Sequence, residues 1–149
     1  MVYVILENID QNKKFKVKHN IVFSYIKDNS LTAIPIPELS EEETPIIKVA
    51  GVQVRITINF TMLPDTEDLS LGTHFPAVRS VWDQIEYLSK YFVTEKVSER
   101  HRLVVPGVFA LGSADWVREG AFTKMSVEFR SGVGERAEAS IDLIVGLVT

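Results

Sequence analysis

The stretch VAGVQVRITINF, residues 49–60, decides the architecture. Val52, Val54, Ile56, Ile58 and Phe60 fall on one side of an extended chain, and Gln53, Arg55, Thr57 and Asn59 on the other. Successive side chains of a strand point to opposite faces, so this alternation describes a strand with one buried face and one wet face. Upstream, VYVILE (2–7) is a short β-rich run, and KKFKVKHNIVFSYI (13–26) sets Phe15 and Val17 against Lys14, Lys16 and Lys18. Between them NIDQNK (8–13) offers Asn and Asp, which tolerate left-handed turn conformations, so a first hairpin is predicted.

Residues 27–48, KDNSLTAIPIPELSEEETPIIK, hold Pro35, Pro37 and Pro45 and the acidic run Glu41, Glu42 and Glu43. Proline removes ladder donors and adjacent glutamates repel, so a long exposed loop is expected here, poised to contact a neighbour. Downstream, AVRSVWDQIEYLSKYF (77–92) changes period: Val78, Val81, Trp82, Ile85, Leu88 and Phe92 recur at helical spacing. With Pro76 suited to a first turn, a helix over about 76–92 is predicted, its apolar stripe facing the core. RLVVPGVFAL (102–111) returns to β character, with Pro106 and Gly107 marking an edge, bulge or turn. Met125, Val127 and Phe129 alternate, as do Ala139, Ile141, Leu143, Val145 and Leu147, and Gly132 and Gly134 lie between them, predicting a C-terminal hairpin.

The fold class expected from this order is mainly β, an antiparallel β-sandwich or small split barrel with one packed α-helix and a long loop over 27–48. A chain of 149 residues, 46% hydrophobic and 24% charged, suits one domain spanning 1–149. The chain has no cysteine, which excludes a disulfide framework, thiolate catalysis and a cysteine zinc site. A net charge of −4 argues against a general phosphate-binding surface, although Lys13, Lys14, Lys16 and Lys18 form a local basic run. Alternating lysines also protect an edge strand from uncontrolled pairing, and that reading is preferred here. MVYVILENID lacks the marks of a signal peptide and no apolar run reaches bilayer length, so a soluble protein is expected.

Catalytic patterns are absent or weak. His19, His74 and His101 lack the short spacing that lets two imidazoles share a metal. SGVGERA (131–137) has a G-x-G but leads into a strand rather than a helix, so it reads as a turn. The carboxylates Glu41–Glu43, Asp65, Glu67 and Asp68 sit in loop-like sequence and read as solvated charge. GSADW (112–116) is not a nucleophile elbow. No catalytic, cofactor-binding or metal-binding residue is assigned. Trp116 reads as a turn anchor, with a ligand platform as its alternative.

Taken in order, FSYIKDNSLTAIPIPEL, GVQVRITINF, VWDQIEYLSKYF, HRLVVPG and SIDLIVG resemble the sequence of elements in tail-tube and distal-tail (tail-tube initiator) or baseplate-ring proteins of tailed viruses of bacteria and archaea. The resemblance covers most of the chain and is one of order, without a diagnostic motif. It implies a non-enzymatic ring subunit, commonly hexameric, surrounding the channel through which DNA passes without being specifically bound. It also implies a virion location after assembly in the host cytoplasm, other tail or baseplate proteins as neighbours, no membrane partner and no cofactor. Distal-tail proteins with a second, carbohydrate-binding-like domain are longer than this chain, which leaves a tube, adaptor or baseplate role. On this reading Gln53, Arg55, Thr57 and Asn59, with Pro35, Pro37, Glu41, Glu42 and Glu43, are the candidate interface or lumen residues. The alternative is a monomeric ligand-binding β-barrel or sandwich with Trp116, Phe109 and Tyr87 at a pocket. A third possibility is an enzyme that pairs His101 with Asp115.

Overall fold

The computed structural model describes residues 3–33, 40–43, 46–94, 99–107, 114–129 and 136–146, with the backbone alone for 29–33, 41 and 46–52. Seven strands, β1 (Val4–Asn8), β2 (Lys13–Val17), β3 (His19–Ala33), β4 (Ile46–Met62), β5 (His101–Val105), β6 (Trp116–Glu128) and β7 (Ala137–Val145), accompany one helix, α1 (Val81–Tyr91). They form a single antiparallel sheet in the order β2-β1-β5-β6-β7-β4-β3, which is not closed into a barrel.

The sheet nevertheless wraps over itself. Only Lys18 separates β2 from β3, the two outermost strands, so the edges meet at that corner. Phe15 of β2 and Phe60 of β4 stand five strand positions apart, roughly 24 Å in a flat sheet, yet their ring centroids are 6.3 Å apart. Alternation explains the interior. Ile56, Ile58 and Phe60 of β4, Leu6 of β1, Leu103 of β5 and Ile141 and Leu143 of β7 all point inward and are buried. In β6 a register shift between Phe122 and Lys124 moves the inward positions from even to odd numbers, so Met125 and Val127 pack against the same core as Phe122.

The first and last hairpins form as predicted, β1 with β2 and β6 with β7. Asn12 takes the left-handed turn conformation at φ 53°. The helix starts later than expected. Its N-cap is Ser80, whose hydroxyl accepts the Asp83 N–H while the Asp83 carboxylate accepts the Ser80 N–H. Pro76 is outside the helix because the carbonyls of Val78 and Arg79 are taken by the N–H groups of Leu69 and Asp65, which holds the segment before Ser80 against the preceding loop. Val81, Leu88 and Phe92 are buried as the stripe predicts, while Trp82 is 49% exposed and stacks on Phe129 at 5.2 Å.

The expected loop over 27–48 is the largest correction. β3 continues to Ala33 and β4 begins at Ile46, so the two strands form one long hairpin, with a 3-10 turn at Glu41–Glu43 among the described residues. The prolines that suggest a loop, Pro35, Pro37 and Pro45, lie outside the described residues. Proline disrupts pairing only locally, and the β-branched and apolar residues on both sides of this segment sustain the ladder.

Candidate functional site

The alternation in β4 places Gln53, Arg55, Thr57 and Asn59 together on the outer face of the sheet, away from the core. Gln53, Arg55 and Asn59 are exposed, and the Thr57 hydroxyl donates to Asp142 at 2.8 Å. Antiparallel pairing carries this polar row across neighbouring strands: Asn59 lies opposite Ser140, which lies opposite Ser126, and Thr57 lies opposite Asp142, which lies opposite Lys124. An open valley of about 550 Å³ crosses this face, floored by Asn59, Thr61, Ser126 and Ser140 and flanked by Glu128 and the Arg136–Glu138 ion pair. Its charges are of mixed sign, and most of its lining is polar, Phe60 being its one aromatic residue, unlike an apolar ligand pocket. Glu42 and Glu43 are exposed in the turn near the hairpin tip, while Pro35 and Pro37 lie outside the described residues.

The hairpin itself outruns the sheet. β7 pairs with β4 from Met62 to Val54, and beyond that point residues 46–53 of β4 pair with β3 alone among the described residues. Eight residues at strand spacing make an arm of roughly 26 Å.

The lysine run is not an open basic patch. The Lys16 ammonium binds Glu67 at 2.9 Å, and Lys18 binds Asp65 at 2.8 Å and Glu67 at 3.0 Å. Hydrogen bonding to Lys18 holds the Asp65 carboxyl below the ordinary carboxylate value, and Lys16 and Lys18 do the same for Glu67. These pairs tie the 65–73 loop along β2, whose Lys16 N–H donates to the Leu69 carbonyl and whose Lys14 N–H donates to Thr73 Oγ1. Asp68 anchors the same loop, accepting from Ser70, Gly72 and Val78. Burial alone would raise its carboxyl, but these hydrogen bonds outweigh it and leave the group lowered. The carboxylates Asp65, Glu67 and Asp68, read from sequence as solvated charge, are therefore structural.

The candidate enzymatic pair is not assembled. His101 opens β5 and Asp115 precedes β6 at the far end of that strand pair, roughly 15 Å away by strand rise, where Asp115 accepts the Gly107 N–H. The ligand-pocket trio is not gathered either. Tyr87 lines a cleft of about 190 Å³ with His74 and Tyr91 but without Trp116, which packs under the Arg118 guanidinium instead, and Phe109 lies outside the described residues. Burial pushes the Tyr87 phenol up to about 12, so it stays neutral and donates to the Lys14 carbonyl. Among the described residues, no group of three or more His, Asp or Glu could hold a metal ion, and no helix is long and apolar enough to cross a membrane.

A buried polar cluster lies under the end of α1. Asn8 Nδ2 donates to the Tyr91 carbonyl and to Glu99 Oε2, both at 2.6 Å, and Gln11 donates to Glu99 Oε1. His101 Nδ1 accepts the Phe122 N–H at 3.1 Å, which places the neutral ring's proton on Nε2. Burial lowers the His101 pKa from 6.5, although Glu99 and Asp10 pull the other way. The unfolded chain therefore takes up this proton more readily than the fold. Stability from this group is complete above pH 6.5 and is lost as pH falls below it toward the depressed folded value. The thermal midpoint should hold from pH 8 to 7 and decline between about pH 6.5 and 5. His101→Gln should remove that decline, and a flat profile in the unaltered protein would contradict the assignment.

No protein-family model matches the chain, and no curated protein matches it.

Proposed function

We propose that this chain is a non-enzymatic structural subunit, a split-barrel ring-former of a viral tail or related tubular injection assembly. The carrying observation is the β3–β4 arm, which extends past the sheet with no third strand beside it among the described residues. A two-stranded ribbon alone is marginally stable in water. The ribbon's sequence is rich in apolar residues, Leu31, Ile46, Ile47, Val49 and Val52, a composition suited to association with a neighbouring subunit. The mixed-charge outer face of β4, β6 and β7 supports a wet lumen or polar joint past which DNA slides, since tight backbone binding requires clustered lysine and arginine. Copies of itself, hexameric by the resemblance, and neighbouring tail or baseplate proteins are the proposed partners, in the virion.

Asn29 pairs with Val52, so residues 30–51 can be replaced by an Asn-Gly turn without touching the β4–β7 ladder. The shortened protein should keep its thermal midpoint within a few degrees and lose higher-order assembly. Unchanged assembly would rule the arm out as the joint.

A further inference from the structure

We infer that the outer edge of β3 is a homotypic docking strand, pairing antiparallel with β3 of a second copy about a two-fold axis at Ser24. The sheet's two edges differ. The edge at β2 is covered, its Lys14 and Lys16 N–H groups being bound by Thr73 and Leu69 of the 65–73 loop. At the other edge β3 is outermost, and no described strand pairs beyond it.

Natural edge strands are usually blunted by proline, bulges or inward charges. From Val22 to Ile26 β3 has none of these: its register with β4 is unbroken, it contains no proline or charge, and the inward charge Lys27, opposite Val54, comes only after this span. Val22, Tyr25 and Ile26 are 59%, 55% and 52% exposed, a concentration of solvated apolar surface within residues 22–26. Pairing with β4 puts Val22, Ser24 and Ile26 on the outer face with Asn59, Thr57 and Arg55, and puts Phe23 and Tyr25 on the inner face with Ile58 and Ile56.

The occupant follows from register and charge. Antiparallel pairing about Ser24 sets Val22 opposite Ile26 of the second copy and Phe23 opposite its Tyr25, and symmetry makes each contact twice. Lys27 then faces Ile21, and Asp28 faces Asn20. Parallel in-register pairing would oppose Lys27 to Lys27 and Asp28 to Asp28, and centring on Tyr25 would set Asp28 against Val22. Like-charge opposition thus excludes parallel in-register pairing, and the axis at Ser24 is favoured because it sets the exposed apolar positions of residues 22–26 against one another. This pairing does not rest on the ring reading, because it joins two free subunits as readily as two subunits of a larger assembly.

The chain has no cysteine, so one introduced thiol is a unique reporter. Ser24→Cys treated with a short bismaleimide should give a covalent dimer, whereas Glu86→Cys on the exposed side of α1 should not. Adding Ile26→Lys to Ser24→Cys should cut the yield about tenfold or more, which corresponds to about 1.4 kcal/mol, with the thermal midpoint unchanged. A Ser24→Cys thiol that is freely alkylated yet never cross-links, a yield indifferent to Ile26→Lys, or a foreign peptide recovered on β3 would each overturn the pairing. A large ring without the Ser24→Cys cross-link would overturn it while leaving the ring reading standing.

Discussion

Gly120→Ala should destabilise the protein by about 3 kcal/mol, at the upper end for overpacking a tight interior. A Cβ at this position would lie 1.9 Å from the Ile144 carbonyl oxygen and 2.8 Å from its carbon. Gly120 is held on both sides, opposite His101 of β5 and opposite Val145 of β7, so β6 cannot retreat from one neighbour without pressing on the other. The obstacle is backbone rather than the movable end of a side chain. Gly146→Ala provides the control, because a Cβ there meets nothing within 4 Å. Denaturant midpoints should separate the two variants clearly, and a Gly120→Ala protein as stable as the original would mean that β6 and β7 are farther apart than described.

Asn8→Ala should cost about 3 kcal/mol. One amide serves two buried acceptors, the Tyr91 carbonyl at the end of α1 and the Glu99 carboxylate, and Asn8 itself is fully buried. Its side-chain oxygen also accepts the Gln11 N–H, which fixes the turn between β1 and β2. Truncation therefore loosens three elements at once, and losing a hydrogen bond to a buried charge is costlier than losing a neutral pair. Chemical denaturation of Asn8→Ala and Asn8→Asp would check this: Asp supplies no donor at neutral pH and adds a like charge beside Glu99, so it should be at least as destabilising. A loss below 0.5 kcal/mol, the range of ordinary surface changes, would show that this cluster does not pin the helix.

The strands are legible in the sequence wherever one face is buried. In Ile56–Phe60 and Ala139–Leu143, period-two alternation carries through directly to burial. The helix is legible from its stripe but not its start, because the hydrogen bonds from Leu69 and Asp65 to Val78 and Arg79 are tertiary and leave no periodic mark. Proline and glutamate near the hairpin tip conceal the strands around them. The candidate surface is legible in part: the polar side of β4 forms one row, as its alternation indicates, but the exposure of Val22, Tyr25 and Ile26 leaves no mark in the sequence. An apolar residue in a strand reads as core until the sheet order shows that its strand is at the edge. The Lys16, Lys18, Asp65 and Glu67 network is hidden for the same reason, since about fifty residues separate its partners.

Assembly of these subunits is decided by the absolute mass of the unaltered protein from light scattering across a concentration series, with negative-stain imaging of any large species. The expected result is a closed species several times the 16.8 kDa subunit mass, with a ring outline that disappears when residues 30–51 are replaced by a turn. A monomer or simple dimer at every concentration would contradict it.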